Sequence, residues 1–254
     1  MTHTARIYLL EAKTEIIKAW RLPIYSVFTL AFPLMFYLIF GLTFGGESAG
    51  PVNIAAYMLA TYGAFGVIGA SLFGFGVGLA SERGQGWLRL KRASPMPPTA
   101  YFTAKIMMAL VFSLLVVSGL FILGFTLFGV RLGALTWISL LGTLLLGALP
   151  FCAFGMALGY LAGPNSAAAV VNLVYLPMAF GSGLWLPVEQ LPSFMQQLAP
   201  FLPPYHYAQL ALSTMGAGQG GAAWVHVLAL LGFTVLFLMV ALWAYRRDEG
   251  KTYG

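Results

Sequence analysis

The chain has 254 residues, 60% of them apolar and 8% charged, with a formal net charge of +6. Soluble domains carry about 25% charged residues, so this chain has too few to cover a water-facing surface. A soluble enzyme, a disordered tail and a disulfide-stapled secreted scaffold are all excluded, the last because Cys152 is the one cysteine. The charges are clustered and leave uncharged runs at 22–46, 48–81, 106–130, 132–188 and 190–245. A membrane-spanning helix needs about 20 apolar residues, so each run holds one and the last two have length for two. The pattern predicts an all-α, multi-pass membrane protein built as a single transmembrane domain over 1–254.

Residues 5–21 pattern as an interfacial amphipathic helix. Leu9, Ala12, Ile16 and Trp20 share one face, and Glu11, Thr14, Glu15, Lys18 and Arg21 the other. Six spans are expected at about 22–45, 53–80, 103–129, 134–162, 166–186 and 221–244. Turn signals separate them at Gly45-Gly46-Glu47-Ser48 with Gly50-Pro51, at Arg131-Leu132-Gly133 and at Gly163-Pro164-Asn165-Ser166. Pro33, Pro150 and Pro177 fall inside spans and predict kinks. Gly41/Gly45, Gly74/Gly78 and Gly155/Gly159/Gly163 have the four-residue spacing that lets helices approach closely, most simply within one bundle. The segment 187–220 carries Pro192, Pro200, Pro203 and Pro204 with Gln196, Gln197 and Gln209. Each proline removes a backbone donor, so 188–212 reads as one or two short interfacial or re-entrant helices. The first apolar segment is too long for a signal-peptide core, and no cleavable leader is expected.

With six spans, every basic residue except Arg131 falls on the side of the N-terminus, and the C-terminus joins it there. The positive-inside rule makes that side cytoplasmic. A seventh span would carry Arg246, Arg247 and Lys251 across and spoil the asymmetry. The net charge is thus an orientation signal, and nucleic acid is not an expected partner. Lys105 and Arg131 lie near span ends, where long side chains snorkel to the interface.

The loop 81–100 has its own punctuation. Gly84 and Gly86 let the chain turn, a short amphipathic stretch sets Trp87, Leu88 and Leu90 against Arg89, Lys91 and Arg92, and Pro95, Pro97 and Pro98 stop it. A short rigid helix below the membrane suits docking into a groove on a cytoplasmic protein.

Glu82-Arg83, Gly86, Trp87-Leu88, Leu90 and the turn Pro95-Met96-Pro97 resemble the cytoplasmic loop of type-2 ABC exporter permeases. The N-terminal amphipathic helix, the six spans and the segment from Leu186-Pro187 to Tyr205-His206-Tyr207 extend the likeness over nearly the whole chain. The resemblance implies a permease in a bacterial-type cytoplasmic (inner) membrane, paired with a second permease copy as a homodimer or half of a heterodimer. It also implies P-loop ATPase subunits as partners, which bring the ATP and Mg. Glu82, Arg83, Gly86, Trp87, Leu88 and Arg89 are then the ATPase-coupling residues.

Chemistry within the chain is sparse. Gly250-Lys251-Thr252 has Tyr245 where a P-loop needs its first glycine, and Gly216-Ala217-Gly218-Gln219-Gly220-Gly221 follows no strand. No ATP site, catalytic residue, cofactor or metal ligand is expected here. Of the ionisable groups only His226 lies well inside a span, which disfavours a proton-coupled transporter. Ser71 lies roughly 27 Å along the second span and His226 near the start of the last, so the two cannot form a protease pair. Candidate path residues are Asn53, Tyr57, Thr61 and Tyr62 on the second span and Asn172 and Tyr175 on the fifth. For each, ordinary interhelical bonding is the competing reading. Such an uncharged, aromatic-rich route favours an amphipathic or lipid-like cargo over a small ion, and the resemblance leaves a glycan open as well. The alternative function is a non-transporting membrane scaffold or sensor subunit.

Overall fold

Apolar stretches in hydrocarbon must satisfy their backbone groups internally, and helices do so. The computed structural model describes residues 3–46, 48–49, 52–94 and 96–249. Glu47, Gly50-Pro51, the loop proline Pro95 and 250–254, with Lys251, lie outside the described residues.

Helix α1 (His3–Trp20) leads into α2 (Pro23–Phe44), and a short ribbon pairs β1 (Ser48–Ala49) with β2 (Val52–Asn53) in antiparallel register. Helix α3 (Ile54–Ser71) continues through a π-turn (Leu72–Val77) into α4 (Gly78–Gly84), and α5 (Trp87–Ala93) and α6 (Pro98–Thr126) follow. Next come α7 (Ala134–Leu146), α8 (Ala148–Leu161) and α9 (Ala167–Gly181), then α10 (Ser193–Leu198), α11 (Pro203–Ser213) and α12 (Ala223–Glu249). Among the described residues, five runs are long and apolar enough to cross a membrane: Pro23–Phe44, Ile54–Gly84, Thr99–Thr126, Ala134–Leu161 and Ala223–Asp248.

Helix α9 is shorter than the span expected at 166–186. Gly183 adopts φ 78°, and the Leu184 and Gly183 amides donate to the Ala179 and Phe180 carbonyls. This left-handed glycine cap closes the helix at 15 residues, about 22 Å, although the apolar letters continue. The break between α7 and α8 falls at Gly147, because Pro150 has no N–H for the Leu146 carbonyl. Pro33 and Pro177 sit within α2 and α9.

The run α3–π–α4 is the axis of the bundle, and every residue of α3 is buried. Its π-turn packs backbone to backbone on α8. A Cβ on Gly155 would stand 3.0 Å from the Ser71 carbonyl oxygen, and one on Gly159 2.9 Å from that of Gly76. Small residues therefore serve contacts inside this chain at these positions. Helix α11 folds back into the bundle with Tyr207, Ala208, Ala211 and Leu212 buried. The Tyr207 hydroxyl donates to the Leu144 carbonyl at 2.5 Å.

Helix α1 packs along α6 with an unexpected face. Glu15 and Ala19 are buried, while Leu9, Leu10, Ile17 and Trp20 stay exposed. Part of the charged side faces the bundle because its partners are there.

Candidate functional site

Glu82 and Arg83 are consecutive in the last turn of α4, so their side chains leave the axis about 100° apart. Glu82 reaches toward α1 and α6. Its Oε1 accepts from Lys105 Nζ at 2.8 Å and from Lys18 Nζ, and its Oε2 accepts from the Tyr101 hydroxyl at 2.5 Å. Lys105 Nζ and Lys18 Nζ also lie 2.9 and 2.7 Å from Glu15 Oε2. From α5, Lys91 pairs with Glu11 and Glu15 and places its ammonium 4.4 Å from the Tyr101 ring centroid. Lysines and glutamates balance in this cluster, as burial requires: Glu15 and Lys105 are 1% exposed and Glu82 8%. Lys105 thus ends in a buried ion cluster rather than snorkelling to an interface. Burial pushes the Glu15 carboxyl up, but Lys105 and Lys18 outweigh it and hold the group below the ordinary value. Burial likewise opposes the Lys18 charge, and Glu82 and Glu15 more than offset it, so its pKa is raised.

Arg83 reaches the other way. Its Nη1 and Nη2 donate to the Tyr160 and Ala162 carbonyls at 2.5 and 2.8 Å, capping the end of α8. Its Nε lies 3.7 Å from Asp248 Oδ2 at the end of α12. The end of α4 is therefore joined through two neighbouring residues to α1 and α6 on one side and to α8 and α12 on the other.

The loop beyond it is built for a turn and a helix start. Gly86 has φ 77°, and its carbonyl accepts the Arg89 amide at 3.0 Å. The Trp87 indole donates to Gln85 Oε1 at 2.9 Å. Trp87 and Leu90 are 53% and 68% exposed, and Arg89 is exposed as well. Leu88 turns inward onto a cluster of Leu79, Tyr101, Tyr160 and Ala244. The six expected coupling residues thus divide four ways: Trp87 and Arg89 face outward, Leu88 anchors α5, Gly86 forms the turn, and Glu82 and Arg83 bind the bundle.

A groove of about 610 Å³ runs between α2, the π-turn and α9. Glu15, Lys18, Ser81 and Lys105 line one end, and Phe28, Phe32, Phe73, Asn172, Tyr175 and Leu176 are among its walls. Above Pro33 aromatic rings close it. Phe36 stacks on Trp185 at 5.8 Å, Phe65 meets Trp185 edge-on at 5.6 Å, and Phe32 lies 6.0 Å from Phe65. Among the described residues, the buried Tyr62 hydroxyl and Trp185 indole nitrogen have no protein hydrogen-bond partner.

Of the candidate path residues, Asn172 and Tyr175 line this groove. The Tyr175 hydroxyl donates to the Phe65 carbonyl at 2.6 Å, and the Asn172 amide to that of Ala168 at 3.1 Å. Asn53 instead caps α3, accepting the Ala56 amide at 2.8 Å. Tyr57 donates to the Gly183 carbonyl at 3.4 Å, Thr61 is fully buried beside the Met58 carbonyl, and Tyr62 belongs to the aromatic cluster. Ser71 bonds the Val67 carbonyl and His226 pairs with His206, so neither serves the other. Sequence reasoning missed the groove's Phe28 and Phe32, the Phe36 and Trp185 that close it, and the Glu15–Lys18–Lys105 grouping. One signal for the rings is in the letters: phenylalanine recurs every fourth residue at 28, 32, 36, 40 and 44, one stripe of a helix.

A family model described as "ABC-2 type transporter" matches residues 8–216. The "Putative transport permease YvfS" of Bacillus subtilis (strain 168) is 28% identical over 225 residues, 89% of this chain and 91% of that protein. "Nodulation protein J" of Sinorhizobium fredii (strain NBRC 101917 / NGR234) is 40% identical over 73 residues, 28% of each chain.

Proposed function

The chain belongs to the ABC-2 type transporter family, and from that premise we propose that it is the permease of an ATP-driven exporter whose ATPase is a separate chain. It crosses a bacterial-type inner membrane six times with both termini in the cytoplasm. Two permease copies assemble with P-loop ATPase subunits, which hold ATP and Mg. The cargo is an amphipathic small molecule, a lipid or a glycan.

The observation that carries the mechanism is the divergence of Glu82 and Arg83 from one turn of α4. The outward side of α5, with Trp87, Arg89 and Leu90, docks on the ATPase, and α4 moves with it. Glu82 passes that motion through Lys105 and Lys18 to α6 and α1, and α1 leads directly into α2. Arg83 passes it to the ends of α8 and α12. One displacement at the loop therefore turns two groups of helices against each other, with the groove between α2 and α9 as the space that changes. The groove's lining ends at Pro33 and Phe65, where the rings meet, so outward release requires the Phe36–Phe65–Trp185 contact to part.

Co-expression with the cognate ATPase followed by affinity purification tests the assignment. Replacing Trp87 and Leu90 together by alanine should lose ATPase capture while leaving membrane insertion intact. Glu82→Gln should keep capture but lower transport per ATP hydrolysed. A chain that exports alone in liposomes, or capture and coupling untouched by both changes, refutes the proposal.

A further inference from the structure

Where α8 and α12 end, away from the groove, a second cavity of about 290 Å³ is lined by Tyr160, Leu161, Trp243, Ala244, Arg247 and Asp248. Its two charges are engaged differently. The Asp248 side chain is 15% exposed and lies 3.7 Å from Arg83 Nε, so this carboxylate is turned toward the end of α4. Arg247 is exposed, and among the described residues its guanidinium has no carboxylate within ion-pair distance. It sits 4.6 Å from the Trp243 ring centroid instead. A guanidinium held over a ring keeps its N–H donors, which lie in its own plane, for an oxygen acceptor. Arg246, also exposed, adds a second positive charge at this end of α12.

The cavity opens onto an apolar track. Leu236, Met239, Trp243 and Arg247 follow one another at three, four and four residues, which puts them on one face of α12. All four are exposed, and so is Leu161 on the wall of the cavity. The stripe runs for about 16 Å from Leu236 to Arg247. A tryptophan and an arginine closing an exposed apolar stripe mark the level at which headgroups lie.

We propose that this cavity binds the head of an anionic phospholipid, with its phosphodiester on Arg247 and one acyl chain along Trp243, Met239 and Leu236. The volume is at the small end of the roughly 300–1,000 Å³ of small-molecule sites, enough for a head whose tail lies outside along the helix. The phosphate gains a charge-assisted hydrogen bond from the guanidinium. A zwitterionic head offers the same phosphate but brings its own ammonium toward Arg246 and Arg247. The binding does not depend on the export reading.

The full chain in a neutral maltoside detergent is titrated with dioleoylphosphatidylglycerol, dioleoylphosphatidylcholine and glycerol 3-phosphate, and native mass spectrometry counts the molecules bound. Phosphatidylglycerol should bind at least about fivefold more tightly than phosphatidylcholine, as about 1 kcal/mol per basic residue near an anionic head implies. Arg247→Gln should remove one bound phosphatidylglycerol per chain, and Arg247→Lys should keep it. Trp243→Ala should weaken both lipids. Lys13→Gln removes an exposed charge of α1 outside the cavity and should change nothing. Equal binding of the two lipids by the unaltered chain overturns the site, as does equal loss in Lys13→Gln and Arg247→Gln, which is diffuse attraction to a basic surface. Binding of glycerol 3-phosphate as tight as that of the lipid overturns the lipid assignment. Lipid binding untouched by Arg247→Gln, with ATPase capture lost, gives this end of α12 to the protein partner and also overturns the site.

Discussion

Lys105→Met removes the ammonium at the centre of the ion cluster and keeps an unbranched stem of similar length. The lysine makes two close charged contacts, 2.8 Å to Glu82 Oε1 and 2.9 Å to Glu15 Oε2, in a side chain that is 1% exposed. Hydrogen bonds to charged groups are worth about 1.5–3 kcal/mol each. Breaking a buried pair from one side costs about 3–5 kcal/mol, because the orphaned charge stays behind. Here two carboxylates stay behind, with Lys18 as the ammonium still touching both. The single change should therefore cost about 3–5 kcal/mol of unfolding free energy, measured by denaturant titration in mixed micelles. Adding Glu82→Gln removes one of the two stranded charges and leaves an acceptor for the Tyr101 hydroxyl, which now bonds Oε2 at 2.5 Å. The double variant should recover at least half of the loss, a coupling well outside the additivity of independent sites. A single variant within about 1 kcal/mol of the parent, or a double variant that loses the sum of its parts, refutes the account of the cluster as mutually dependent.

A second prediction concerns α11. A Cβ at Gly147 would stand 2.0 Å from Tyr207 Cε2, so Gly147→Ala should cost about 1–3 kcal/mol or more in the same titration. Adding Tyr207→Ala should return part of it, and parental stability in the single variant would remove the case for this contact. A third concerns pH. His206 Nε2 is 2.8 Å from the Pro200 carbonyl and must carry hydrogen, so in the neutral ring Nδ1 is bare and accepts from His226 Nδ1 at 3.0 Å. Burial holds His206 below the ordinary histidine value of 6.5, so its stabilising contribution is complete above 6.5 and is lost as pH falls from there through the lowered value. Tm should drop by about 2–4 °C for each kcal/mol so lost between pH 7.5 and 5. His206→Gln should flatten that slope; an unchanged slope refutes the assignment to this pair.

The five long apolar helices were legible because missing charge and clustered glycine and proline are properties of letters. What the letters hid is direction around an axis. Lys105 stands near a helix end, where snorkelling is the common outcome, yet it turns inward to Glu15 and Glu82, which come from distant parts of the chain. The loop motif presented Glu82, Arg83 and Trp87 as one unit, and only the fold separates two inward residues from an exposed one. Hydropathy carried the expected fifth span past Gly183 because Leu184, Trp185 and Leu186 are apolar, while the backbone had already turned there at φ 78°. Polar letters such as Tyr57 and Thr61 pointed to a path, and their hydroxyls lie against main-chain carbonyls instead. The phenylalanine stripe on α2 was the reverse case, a periodic feature masked because its neighbours are apolar too.

A π-turn takes in one residue more than an α-turn, so everything after Val77 is offset by one place, about 100°, from where α3 alone would project it. Glu82 meets Lys105, and Arg83 the end of α8, only with that offset in place. A one-residue deletion within 72–77 that restored a plain α-helix would leave Glu82 and Arg83 on their present bearings, whereas closing the π-turn with no deletion would carry Glu82 about 100° on, toward the bearing that Arg83 now holds. The π-turn and the length of this stretch therefore compensate each other. A relative one residue shorter here, with a plain α-helix, would aim the same acidic–basic pair at the same helices.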